Sequence, residues 1–191
     1  MATPHDLATP AAAPARTATG RRLIGIAVGA LAVAAAAQVA IPVPFSPVPM
    51  TLQPLAVLAV GGLLGAAGGA AALTTYLALG ILGLPVFAGG SAGVVHLMGP
   101  TGGYLLAFPV AAGVTGALTG RSAGILRTLL ACAVGMVVIH AGGVAQLALL
   151  SGSPAAAFQV GFVPFFTGDL LKVGLAAALV LALRSRVRGA N

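Results

Sequence analysis

An all-α integral membrane protein, folded as a compact bundle of six transmembrane helices, is the architecture this sequence predicts, and three observations predict it. Of 191 residues, 59% are apolar and only 6% are charged, with a mean hydropathy of +1.10, a balance foreign to soluble domains. The apolar stretches run on without the period-two alternation of membrane strands, which leaves helices as the way to satisfy the backbone in lipid. The basic residues gather in three places only, as short loops on one side of a membrane do.

Taken in order, residues 1–20 are rich in Ala, Pro and Thr without periodicity and read as a disordered cytoplasmic tail; residues 21–188 form the six-helix domain. A first span over about residues 23–41 is long enough to cross a hydrocarbon core of ~30 Å. Within it Ala32 and Ala36, and beside them Ala30 and Ala34, set small residues four apart, a spacing that lets a second helix approach closely. Simple abundance of alanine explains the same pattern.

Pro42, Pro44, Pro47 and Pro49 then forbid helix and favour a stiff, extended connection that can lie over the bundle as a lid. Ser46, Thr51 and Gln53 give it hydrogen-bonding capacity. A short second span (about 54–64) and a third (about 67–84) are joined by a Gly-rich turn over residues 65–69. The Gly-rich loop that follows, residues 85–103, carries no GxxxxGK[ST] pattern and is not a nucleotide loop. A fourth span covers about 104–118 and a fifth about 128–150, the latter with His140 and Gln146. After a semi-apolar approach segment, a sixth runs from Thr167 to Leu183.

Charge orients this arrangement. The net charge of +7 does not point to nucleic acid, because Arg16, Arg21 and Arg22 precede the first span, Arg121 and Arg127 flank the fourth-to-fifth junction, and Arg184, Arg186 and Arg188 close the chain. With both termini cytoplasmic, all eight arginines fall on the inner side, and the connections over about 42–53, 85–103 and 151–166 hold no Lys or Arg. The lipid bilayer is the first partner.

Asp169, the only acidic residue outside the first ten positions, and Lys172, the only lysine, lie three apart at the outer mouth of the sixth span and share a helix face. A carboxylate in the first turn of a helix is favoured by the macrodipole, with Thr167 as the expected N-cap. Charges at the centre of a span cost roughly 2.5–3.5 kcal/mol each on insertion scales, so the pair is read as the polar heart of a small-solute site. A structural ion pair is the competing reading. Catalysis finds little support: Ser91, His96 and His140 are not joined to an acid by any motif, and no metal-ligand spacing occurs. The lone cysteine, Cys132, is a packing residue and excludes an intramolecular disulfide. His140 is either a helix-packing residue or cavity wall; neither it nor Gln146 is assigned as a ligand.

The segments Ile41-Pro42-Val43-Pro44-Phe45-Ser46-Pro47-Val48-Pro49-Met50-Thr51-Leu52-Gln53, Gly83-Leu84-Pro85-Val86-Phe87-Ala88-Gly89-Gly90, Gly99-Pro100-Thr101-Gly102-Gly103-Tyr104 and Gly168-Asp169-Leu170-Leu171-Lys172, in this order, resemble the signatures of BioY, the biotin-binding S-component of energy-coupling factor (ECF) transporters. The resemblance spans about residues 23–184. It implies an S-component-type bundle in the bacterial cell membrane that captures biotin on the outer face. It also implies that Ala30, Ala32, Ala34 and Ala36 meet a transmembrane coupling protein, to which two ATPase subunits bind. ATP would be used by those partners, since the chain has no Walker motif; no cofactor or metal is expected, and no enzyme activity. A homodimer stays open as an assembly.

Biotin suits the residues. Its ureido ring offers one carbonyl acceptor and two N–H donors, which Lys172 and Asp169 can satisfy with help from Gln53 or Thr51. Its apolar ring would take a wall of Phe87, Tyr104 and Phe165. The valerate carboxylate is an alternative partner for Lys172, or is held by amides around residues 89–93. An S-component for another vitamin, an intramembrane enzyme and a purely structural bundle are the other readings.

Overall fold

The computed structural model describes residues 15–120 and 124–189, with side chains described over 19–120 and 124–185. Helix α1 (Ala15–Gln38) begins inside the stretch expected to be an unstructured tail; residues 1–14, and Arg121 with them, lie outside the described residues. Five helices among the described residues are long and apolar enough to cross a membrane.

One of the five counts twice. Helix α2 (Gln53–Ile81) is broken at Gly65, whose φ of 76° and ψ of 179° are open to glycine and hostile to a side chain. Residues 53 and 76 in a straight helix would stand ~35 Å apart, yet Gln53 Nε2 donates to the Tyr76 hydroxyl at 2.7 Å. The element is therefore a helical hairpin with antiparallel arms, 53–64 and 66–81. The six-helix bundle follows, with the expected second and third spans fused through one glycine. Gly29 of α1 packs against both arms, near Val60 and Ala72, as small residues at helix contacts permit.

Helix α4 (Gly102–Thr119) descends beside the hairpin, and α5 (Ile125–Ser151) returns. Gly152, with φ 69°, ends α5 in the left-handed conformation. The approach segment expected to be irregular is a short helix, α6 (Pro154–Gly161), started by Pro154 and by the Ser153 side chain, which accepts from the Ala156 amide at 3.3 Å. The last span, α7, covers Phe166–Gly189. Because it begins at Phe166, Thr167 stands inside its first turn and is not the N-cap; the Asp169 amide donates to Phe165 O at 2.8 Å.

The three arginine-free connections meet at one end of the bundle. The proline-rich segment turns between two short antiparallel strands, β1 (Ala40–Ile41) and β2 (Met50–Thr51), with Ala40 opposite Thr51. This hairpin latches onto α6 through Ser46, whose hydroxyl donates to Val160 O at 2.7 Å. The glycine-rich loop holds a 3-10 turn (Ala88–Gly90) and a one-turn helix, α3 (Val95–Met98). Gln146 of α5 braces that loop from beneath, donating to Leu97 O at 2.9 Å and Gly99 O at 2.7 Å.

The opposite end is closed by arginine. Arg184 donates to Gly120 O at 2.6 Å and to Gly62 O, while Arg127 donates to Leu118 O at 2.7 Å. Between the two ends lie an apolar core around Tyr76, Leu73, Phe87 and Ile139 and a smaller one around Leu58, Cys132 and Ala176. Leu31, Val137, Leu149 and Leu171 point outward and stay exposed, the inverted surface of a protein solvated by lipid.

Candidate ligand-binding site

At the loop-rich end the helices part around a cavity of about 290 Å³. Its polar floor comes from α7 and α5. The first turns of α7 place Asp169 and Lys172 on one face, and Lys172 Nζ donates to Asp169 Oδ1 at 2.8 Å. His140 reaches in from α5 and brings Nε2 to 2.6 Å from Asp169 Oδ2. All three are nearly enclosed, at 5% exposure for Asp169 and 7% each for Lys172 and His140. A carboxylate so buried is retained only because each oxygen has a partner; stripping one away strands a charge.

Aromatic rings form the walls. Tyr104 stands edge-on to the His140 ring, centroids 6.0 Å apart, and its hydroxyl is anchored on Gly161 O at 2.6 Å. Gly143 makes room for this ring, since a methyl group there would overlap it. Phe165 lies tilted beside His140 at 6.4 Å, and Phe162 packs edge-on against it at 5.0 Å. Phe87 meets Tyr76 and His96 edge-on, at 5.7 Å and 6.0 Å. Offset and edge-to-face contacts of this kind hold rings in place while leaving an apolar surface to a ligand.

The seven residues singled out as biotin-binding candidates, Asp169, Lys172, Gln53, Thr51, Phe87, Tyr104 and Phe165, all line this one cavity. Thr51 and Gln53 belong to a chain that leads away from the polar floor. The Thr51 hydroxyl donates to Gln53 Oε1 at 3.2 Å and accepts from the Gln53 amide, while Gln53 Nε2 donates to Tyr76, whose hydroxyl donates to Val86 O at 3.1 Å. That chain ties the lid, the hairpin and the Gly-rich loop together, and leaves one N–H of the Gln53 amide for anything in the cavity.

Of the two readings open for His140, helix packing or cavity wall, it takes the second, and Ser91, His96 and Thr101, which sequence reasoning missed, line the cavity with it. For His140 a signal existed: an ionisable residue inside a span calls for a partner, and Asp169 is the only acid near any span. Ser91, with its hydroxyl on Ala88 O at 2.9 Å, and His96 carry no such signal, because loop geometry alone brings them round. Gln146 faces the loop backbone, outside the cavity. Among the described residues no group of three or more His, Cys, Asp or Glu could hold a metal ion.

The alanine face of α1 divides. Ala32 and Ala36 border a second, almost wholly apolar groove of about 480 Å³ between α1, the first arm of α2 and α7, together with Gly25, Leu55, Leu63 and Leu179. Ala30, at 2% exposure, and the half-buried Ala34 pack into the core. The four alanines expected at one interface therefore do not share one face: with 3.6 residues per turn, positions two apart face opposite ways.

Comparison with known proteins gives this geometry its family. A family model described as the BioY family matches residues 10–189. The chain belongs to the BioY family. It is 41% identical over 138 residues to a protein named probable biotin transporter BioY from Pyrococcus horikoshii, covering 72% of this chain and 80% of that one. It is 41% identical over 138 residues to the biotin transporter BioY of Thermotoga maritima, covering 72% and 82%. A crystal structure of the S-component for biotin from an ECF-type ABC transporter superposes with a TM-score of 0.83 at 27% identity, over 91% of this chain and 95% of that one. The BioY match takes in every described helix, so cavity, lid and arginine-closed end belong to one multi-pass membrane protein.

Proposed function

We propose that this protein is the biotin-binding membrane subunit of a vitamin-uptake system. It captures biotin in the cavity at the loop-rich end and delivers it inward with an ATP-driven module. The observation that carries this reading is the buried Asp169–Lys172–His140 cluster at the floor of an aromatic-walled cavity, in a BioY-family chain. A neutral bicyclic urea suits such a floor. Its N–H groups meet the remaining lone pairs of Asp169, its carbonyl takes a free N–H of Lys172, and its sulfur ring lies against Phe87, Tyr104 and Phe165. The valerate chain then extends toward the Ser91 and His96 wall, where loop amides around residues 88–91 receive the carboxylate.

The loop-rich end faces outward and both termini are cytoplasmic in the cell membrane, on the strength of the arginine distribution. The protein is a transport subunit, not an enzyme, and ATP is consumed by two ATPase subunits bound to a transmembrane coupling protein. The groove bordered by Ala32 and Ala36 is the surface offered to that coupling protein: its small residues let a helix approach closely.

Binding of radiolabelled biotin to the purified protein tests the central claim. Saturable binding, competed by unlabelled biotin and not by a panel of other vitamins, is expected. No saturable binding, or affinity unchanged in both Asp169→Asn and Lys172→Ala, would sink it. Co-purification with a coupling protein, lost on Ala32→Trp, tests the second surface.

A further inference from the structure

His140 touches the polar floor through a single atom. Its Nε2 lies 2.6 Å from Asp169 Oδ2, while its Nδ1 is buried and has no hydrogen-bond partner. The other faces of the ring are covered by Tyr104, Phe162 and Phe165. The one hydroxyl among them, on Tyr104, is already committed to Gly161 O. Asp169 accepts from Lys172 on its other oxygen, and a carboxylate held by an ammonium group is the acceptor in its contacts. The hydrogen of the His140–Asp169 contact therefore sits on Nε2; a second hydrogen on Nδ1 would add a buried charge and a donor with no acceptor, so Nδ1 keeps a bare lone pair.

The consequence lies in the geometry of the carboxylate. The terminal torsion of an aspartate is broad and roughly two-fold. Lys172, on the same helix, holds one oxygen and leaves the carboxylate plane free to turn about that anchor. His140 holds the other oxygen from a different helix, and two anchors on two oxygens fix the plane.

We infer that His140 is a positioning residue for ligand recognition: locked as the Nε2–H tautomer, it orients the Asp169 carboxylate so that the remaining lone pairs meet the N–H donors of a cyclic urea. This rests on the biotin reading for the identity of the ligand, though not for the tautomer. It also makes His140 a determinant of specificity, because an unheld carboxylate discriminates poorly between a ligand with two N–H groups and one whose nitrogen is blocked.

Two measurements test it. Nitrogen-15 NMR of ring-labelled histidine in the ligand-free protein, in lipid nanodiscs, reads the tautomer of His140: Nε2–H is expected in the wild type, with the two tautomers mixing in Asp169→Asn. Biotin binding is then compared across wild type, His140→Gln, whose amide can still donate to Asp169, and His140→Leu, which cannot. The leucine variant is expected to raise the Kd about tenfold or more, and the glutamine variant to stay within about threefold of wild type. A biotin analogue methylated on a ureido nitrogen is expected to lose less affinity, relative to biotin, in His140→Leu than in wild type.

An Nδ1–H tautomer, a leucine variant that binds as wild type does, or a glutamine variant as weak as leucine overturns the inference. If the leucine variant does not fold, the tautomer and the glutamine variant decide. A wild type that shows Nε2–H but binds no biotin removes the biotin reading and the recognition role with it, and leaves only the tautomer standing. Biotin binding with an Nδ1–H ring does the reverse.

Discussion

The two ends of α7 use charge in opposite ways. Asp169 and Arg184 stand fifteen positions apart on one helix, about 22 Å along its axis. At the loop-rich end the carboxylate meets two ionisable side chains, Lys172 and His140, around a cavity. At the other end the guanidinium meets backbone carbonyls, those of Gly62 beside the hairpin turn and Gly120 at the end of α4. Carbonyls at helix termini lack intrahelical partners, so an arginine there completes the fold. Side chains clustered about an open space keep unused donors and lone pairs. The carboxylate's partners are side chains at a cavity and the guanidinium's include backbone carbonyls at helix ends, and the kind of partner distinguishes the two.

Substitutions can break that contrast or sharpen it. The largest effect is expected from Asp169→Asn, which leaves Lys172 buried without its counter-charge: breaking such a pair costs about 3–5 kcal/mol, and biotin affinity should fall by more than about a hundredfold, measured by equilibrium binding. Next comes Gly80→Ala. A methyl group there overlaps the Phe87 ring, and overpacking of about 1–3 kcal/mol should push the ring into the cavity, lower the thermal midpoint and weaken biotin binding. Arg184→Ala should reverse the balance, lowering the thermal midpoint through loss of its hydrogen bonds to the helix ends while leaving biotin affinity as in wild type. A large drop in affinity there would break the contrast. Smallest is Ser46→Ala, which removes the lid's latch on Val160 O; a faster biotin off-rate, by a few-fold, with the thermal midpoint unchanged is the expected outcome in stopped-flow measurements.

Much of the architecture could be read before the structure. Hydropathy supplied the spans, arginine placement their common side, and the spacing of Asp169 and Lys172 their shared face. Local chemistry sufficed because each depends on neighbours within a turn or two, or on the bilayer as solvent. Boundaries were harder. Thr167 suggests a cap, yet α7 begins at Phe166 because Asp169 closes its first turn on Phe165. The segment before it becomes a helix through Ser153 and Pro154.

The sequence by itself determined that this chain is a BioY-like helical bundle with a polar pair near the start of its last span. Only the tertiary structure decided which other groups complete that pair. His140 lies 29 residues from Asp169 and joins it because α5 and α7 pack side by side. The packing of α1 on the α2 hairpin likewise splits its alanines, turning Ala30 inward and leaving Ala32 and Ala36 on an open groove. Periodicity says which residues share a face, but not which face another helix will cover. That depends on how rigid helices, jointed at Gly65, bury their small residues against one another.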